Sequence, residues 1–314
     1  VFEAPRWDRI DEALSAVVGR GCVGIPSVRV GICWALEYLG YRRHTHHVLV
    51  PRFMGRCVLN AISRFALPVE VLTPKTGFVI VVHQYGFTQR LSEIHVECAS
   101  RSLVYVENSP FGLAEKEELG PGALAKFVGL SKVLPVLKGG FVISADPRLL
   151  EFVRAKRAER SLWSWPVLAL MAILRSRRRS VPYSVLGDVA YELYLEARGD
   201  NAVVRGNLLR GLERLADHER MALERMTLAR QRLGSRVLLP DATRLAYVLP
   251  YVANGNEEEV ESVFRRLGFD GTPYHFDVNR NLFESNYRRV FLIPLNPRIP
   301  QDAFESLAHD LSQV

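Results

Sequence analysis

Cysteine is scarce in this 314-residue chain: Cys22, Cys33, Cys57 and Cys98 lie far apart, and no two form a C-x-x-C pair. That spacing excludes a disulfide framework and the usual structural zinc patterns, and it fits buried thiols in a reducing compartment. Long apolar runs are missing as well. The longest beside a basic cluster, Val167–Leu174, is far short of the roughly 20 residues that cross a bilayer. The first residues, VFEAPRWDRIDEAL, are charged and amphipathic and lack the apolar core of a secretory signal, so the expected compartment is the cytoplasm. Low-complexity tracts are absent too, and 48% hydrophobic with 24% charged residues is an ordinary globular balance.

What is present is a formal charge of +7, unevenly placed. Much of the excess falls between Arg154 and Arg179, including Arg175, Arg177, Arg178 and Arg179. Such a block suits phosphorylated ligands, anionic headgroups or nucleic acid, and equally a solvated helix end. No aromatic interleaving or zinc spacing supports nucleic-acid binding. In Leu162–Arg179 two tryptophans and an apolar stretch precede four arginines. This is the layout of a helix lying on a membrane surface, or of one buried between subunits; the subunit interface is the preferred reading.

The chain alternates short apolar runs with helical spacing. Helices are expected over 6–20, 27–39, 58–65 and 92–100, and strands over His46–Pro51, Val69–Leu72, Phe78–Val82, Leu103–Val106 and Gly140–Ser144. Residues 151–235 read as helical, with one long amphipathic helix over Leu208–Leu233. The rest, with Leu245–Val252, a helix over Glu257–Leu267, a strand Val290–Pro294 and a helix Pro300–Leu311, reads as a compact α+β lobe. The expected architecture is α/β: a large, mainly parallel sheet covered on both faces within residues 1–235, then a small C-terminal domain of 236–314. In such sheets functional groups gather where strands end, here after Val50, at His83–Gly86 and at Glu107–Gly112.

Three segments in order resemble the sugar aminotransferases typified by DegT and DnrJ, which are fold type I pyridoxal-phosphate enzymes. HHVLVPRFMGRCVLNAISRFALPVEVL (His46–Leu72) is similar to that family's strand, proline and helix. FVIVVHQYG (Phe78–Gly86) and LVYVENSPFG (Leu103–Gly112) are similar to its "VHLYG" and "VIEDAAHAxG" elements. GALAKFVGLSKVLPVLKGGFVIS (Gly122–Ser144) resembles the stretch carrying the Schiff-base lysine: Lys132 lies ten residues after Gly122 and seven before Gly139. VFLIPLNPRIPQDAFESLAHDL (Val290–Leu311) looks like the closing strand and helix.

The resemblance implies pyridoxal 5'-phosphate as cofactor, a nucleotide-linked keto-sugar as substrate and a homodimer. Most other cofactor-holding groups depart from the pattern. Asn108 stands for the aspartate that pairs with the ring nitrogen, and a neutral amide weakens the electron sink. Phe111 replaces the histidine or glutamine near the ring hydroxyl. Gly55 falls where the stacking aromatic belongs, with Phe53 and Met54 beside it. Phe127 replaces a phosphate-binding serine. Ser27 and Arg29 fall near the phosphate loop, where Arg29 is either a substitute anchor or a salt-bridged helix residue. Lys132 alone is retained, and a lysine before a glycine pair is common in ordinary loops.

Two functions follow from this pattern: an aminotransferase with an eroded site, or a cofactor-free relative that binds or scaffolds other sugar-assembly enzymes. HTHH (His44–His47) resembles a metal cluster, yet successive strand residues face opposite ways and no carboxylate or cysteine is near in sequence, so no metal is expected. His83, at a strand end, is read as structural.

Overall fold

The computed structural model describes residues 5–114, 116–136, 138–158, 202–240, 243–296 and 299–314. The stretch Leu162–Arg179 and most of the basic block lie outside them. Helix α1 (Trp7–Val18) precedes β1 (Val23–Ile25), α2 (Val28–Tyr38), β2 (His47–Leu49), α3 (Arg56–Ile62), β3 (Leu67–Val69) and β4 (Thr76–Val82). Then come α4 (Leu91–Ser100), β5 (Val104–Ser109), β6 (Gly112–Ala114), β7 (Ala125–Gly129), β8 (Gly140–Ser144) and α5 (Pro147–Ala158). After the undescribed stretch follow α6 (Ala202–Glu213), α7 (Leu215–Leu233), β9 (Thr243–Ala246), β10 (Val248–Tyr251), α8 (Glu257–Arg266), β11 (Tyr274–Asp277), β12 (Tyr287–Pro294) and α9 (Gln301–Gln313).

Seven strands form one sheet in the order β1-β8-β7-β5-β4-β2-β3. The run β3, β2, β4, β5, β7 is parallel throughout, and β8 pairs antiparallel with both β7 and β1. Strands in a sheet covered on both faces must be apolar at nearly every position, which is why FVIVV reads as a continuous run. Alternate residues then serve different cores. Val48, Phe78, Ile80, Val106, Ala125, Phe127 and Val142 pack with α2, α3 and α5. On the opposite face Leu49, Val79, Val81 and Tyr105 pack with α4, and Val128, Phe141 and Ile143 with α1 and α6.

The C-terminal residues build a second sheet, β10-β12-β11, whose core includes Phe264 of α8, Ala229 and Leu233 of α7, and Phe304, Leu307 and Leu311 of α9. A two-stranded ribbon, β6 with β9, joins the end of β5 to the start of that lobe. Among the described residues no helix is long and apolar enough to cross a membrane.

Several expected elements differ. The single helix over Leu208–Leu233 is two helices separated at Arg214 (φ −101°, ψ 13°). The break lets Leu208 and Leu212 face the core shared with α1 while Ala229 and Leu233 face the C-terminal lobe. Leu245–Val252 is not one element: β9 and β10 flank Tyr247 and belong to different sheets. The strand expected at Val69–Leu72 lies at Leu67–Val69, its register set by pairing with β2. Strands β1, β6, β7 and β11 add to the elements expected from the sequence pattern.

Candidate active site

The C-terminal ends of β4, β5 and β7 set the site's register: Val82 of β4 pairs with Asn108 of β5, and Asn108 with Phe127 of β7. Equal parity puts Asn108 on the same face as Val106 and Phe127, the face covered by α2. Asn108 is 2% exposed, and its Oδ1 has no hydrogen-bond partner. A buried acceptor left unpaired costs about 1–3 kcal/mol, so this atom asks for a donor.

Glu107, one residue earlier, faces the other way. It is fully buried; Oε2 lies 2.8 Å from His83 Nε2, and Oε1 accepts the Gly120 amide at 2.6 Å. His83 Nδ1 accepts the Gln89 amide at 3.2 Å, so the ring proton sits on Nε2 and points at the carboxylate. The His83 amide also donates to the Asn108 carbonyl at 2.9 Å. These bonds fix the His83 ring between the ends of β4 and β5. Its carboxylate partner was missed, although the two residues end neighbouring parallel strands.

Lys132 follows β7 in the loop before β8. It is half-buried, with Nζ 3.6 Å from the centroid of the Phe111 ring and 5.9 Å from that of Tyr247. Burial pushes its amine down to about 8, with nearby Cys57 opposing that and Arg29 adding to it. Arg29 of α2 and Cys57 of α3 thus act on the same amine. The ribbon β6–β9 brings Phe111 and Tyr247 together: the Tyr247 amide donates to the Phe111 carbonyl at 2.9 Å. Tyr85 packs on Phe111 at 5.1 Å from a left-handed backbone (φ 55°, ψ 25°), a conformation a bulky residue holds only when its surroundings fix it.

The other expected site residues separate. Ser27 caps α2, its Oγ accepting the Val30 amide at 3.3 Å and leaving its own proton to donate. Gly55 precedes α3 with room beside it: a Cβ there would meet nothing closer than Cys57 Sγ at 3.9 Å. Phe127 is fully buried against α2, so close to Gly31 that a Cβ on that glycine would lie 2.8 Å from its ring. Its ring is core and offers no hydrogen bond. Phe53, beside Gly55, stacks on His275 of the C-terminal lobe at 3.7 Å with ring planes 2° apart, a contact no local sequence signal announces. In the histidine cluster, His46 Nδ1 accepts the Arg42 amide and His47 bonds Thr73 Oγ1 at 2.7 Å. Among the described residues no three metal-ligating side chains converge.

A mainly parallel seven-stranded sheet with a small C-terminal antiparallel lobe is the fold of type I pyridoxal-phosphate transferases, and Lys132 lies in the loop after its inner strand β7. A family model described as "Putative PLP-dependent aminotransferase" matches residues 19–198, more than half of the chain, and the chain belongs to that family. Its fold is that of an aminotransferase TlmJ from Streptoalloteichus hindustanus (19% identity, TM-score 0.67, covering 98% of this chain and 90% of that one). It is likewise similar to a DegT DnrJ EryC1 StrS aminotransferase from Brucella abortus (13%, TM-score 0.64, 97% and 88%). A third similar structure is DesI in the presence of its TDP-sugar product (14%, TM-score 0.61, 98% and 84%). A search of curated proteins finds no match. The sequence resemblance and the fold therefore agree, and pyridoxal phosphate is the cofactor of the family.

The residues present fit that cofactor in part. An amine held near 8, a nearby guanidinium, a capped helix N-terminus and an unpartnered buried acceptor suit a phosphorylated, nitrogen-containing aldehyde. The neutral Asn108 and the core-bound Phe127 do less than a carboxylate and a hydroxyl in their places.

Proposed function

We propose that the protein is a pyridoxal-phosphate aminotransferase acting on a nucleotide-linked keto-sugar, with a thinned set of cofactor contacts. The observation that supports it most is the Lys132 amine, half-buried and pushed down to about 8. At that value a useful fraction is neutral near pH 7.5, as a nucleophile and proton carrier requires. Lys132 would hold the cofactor's aldehyde end. The Ser27 hydroxyl, the first amides of α2 and the Arg29 guanidinium would hold its phosphate. Asn108 would meet the ring nitrogen, and Gly55 leaves the outer ring face uncovered. When bound, the cofactor supplies the electron sink for the substrate's α-carbon, and Asn108 makes that sink weaker than a carboxylate would.

The nucleotide-sugar assignment draws on DesI and its TDP-sugar, and on a net charge of +7 that favours a diphosphate. A cytoplasmic homodimer, with residues 1–235 as the large domain and 236–314 as the small one, completes the reading.

Adding pyridoxal phosphate to pure protein gives a visible absorbance band, and borohydride reduction leaves a pyridoxyl group on Lys132 by peptide mass spectrometry. Lys132→Ala shows neither. No band in the wild type refutes this reading and favours the second one, a cofactor-free binding or scaffolding partner in sugar assembly. That alternative draws on Phe111, whose ring already lies beneath the amine, and on Phe127, which fills the phosphate serine's position with core packing.

A further inference from the structure

We propose that Phe111 and Tyr247 form an aromatic seat that holds Lys132 while its amine is charged and releases it when the amine loses its proton. The geometry carries this: Nζ sits 3.6 Å from the Phe111 centroid and 5.9 Å from that of Tyr247, within the range where a ring face attracts an ammonium. The attraction is strong for the ammonium and weak for the neutral amine, which offers the ring only N–H contacts. Deprotonation weakens it, and the side chain then turns more readily toward a carbonyl. Phe111 and Tyr247 are positioning residues in this scheme, acting through Lys132.

The seat is built rather than incidental. The ribbon β6–β9 and the Tyr247-to-Phe111 backbone bond bring the two rings together, and Tyr85 packs against Phe111. Tyr247 is itself held from the C-terminal lobe, its carbonyl accepting the Leu295 amide at 2.9 Å. The charged and titratable groups acting on the amine are Arg29 from α2 and Cys57 from α3; the Tyr247 ring is part of the seat and the Tyr85 ring packs against Phe111. Burial and Arg29 disfavour the ammonium and Cys57 favours it, which places the amine at about 8, and the ring contacts act in the same direction as Cys57. A charged lysine parked on a ring near neutral pH keeps its nucleophile in reserve. The functional use of the seat rests on the aminotransferase reading, but its existence does not.

The test is trace acetylation of cofactor-free protein with acetic anhydride across pH, with peptide mass spectrometry reading the labelling midpoint of Lys132 against exposed Lys75. Phe111→Leu lowers that midpoint by about one pH unit, as expected for loss of a half-buried cation–π contact. Phe111→Tyr, which keeps the ring face, leaves it within a few tenths. Tyr247→Leu gives a smaller fall in the same direction, and its backbone bonds guard against loss of the fold. An unchanged midpoint in Phe111→Leu overturns the seat. So does a Phe111→Tyr midpoint that falls as far as that of the leucine variant, because packing rather than the ring face would then be responsible. Pyridoxal phosphate added to the same samples separates the two claims. Shifted midpoints with no absorbance band in any variant keep the seat and defeat the aminotransferase reading.

Discussion

Arg225 gives the sharpest stability prediction. It lies in the middle of α7, is 1% exposed, and bonds four acceptors around the segment leading into α9. Nη1 reaches the carbonyls of Leu295 (3.4 Å) and Asn296 (2.8 Å), Nη2 that of Ile299 (2.6 Å), and Nε the Gln301 side chain (3.1 Å). The guanidinium also lies over Phe304. Arg225→Met preserves length and apolar packing but strips donors from three carbonyls. Each unsatisfied buried carbonyl costs about 1–3 kcal/mol, and removing the buried charge returns part of its desolvation cost. The expected net loss is about 3 kcal/mol. Arg225→Lys, a point charge that cannot span all four acceptors, should lose about half as much. Urea unfolding followed by tryptophan fluorescence and by far-UV circular dichroism reads both values. A methionine variant within about 0.5 kcal/mol of wild type would show that water or relaxation satisfies those carbonyls, and the reasoning would be wrong.

His218 of α7 is 4% exposed and neither ring nitrogen has a partner, so His218→Leu should stabilise the fold by about 1–2 kcal/mol. Burial, aided by Arg214, lowers its pKa in the folded state. The unfolded chain then binds the extra proton first, so wild-type stability falls as pH drops below about 6.5, and the leucine variant should lose that slope in melts between pH 5 and 7. Asn108→Asp restores a carboxylate to the end of β5. It should tighten pyridoxal-phosphate retention in dialysis while costing the cofactor-free protein about 1–3 kcal/mol through an unpaired buried charge; equal retention by both proteins would remove Asn108 from the ring nitrogen.

The large sheet was legible because its inner strands are buried on both faces and so read as unbroken apolar runs, FVIVV above all. Strand β7 escaped notice because Lys126 interrupts it. That lysine is tolerated in the interior because its amine meets Glu117 at 2.6 Å and donates to the Glu118 carbonyl. Strand β1 has only three residues, too few for a period to show. Lys132 was readable from its distance to two glycines. Its surroundings were not, since Tyr247 reaches Phe111 through a ribbon whose strands lie far apart in sequence. Nor could alternation alone pair His83 with Glu107, because the bond depends on the register between β4 and β5. Local pattern finds the strands, and long-range register decides which side chains meet.

The β6–β9 ribbon has a consequence for biogenesis. By Ser144 a growing polypeptide has synthesised every strand of the seven-stranded sheet, yet Gly112–Ala114 still lacks the segment that completes it. Closing so long a loop adds little entropy, because the cost grows only with the logarithm of its length, but it delays the contact until residue 246 is available. Until then the strand edge stays open to stray pairing, and a C-terminally shortened chain keeps its lysine without the aromatic neighbour that arrives last.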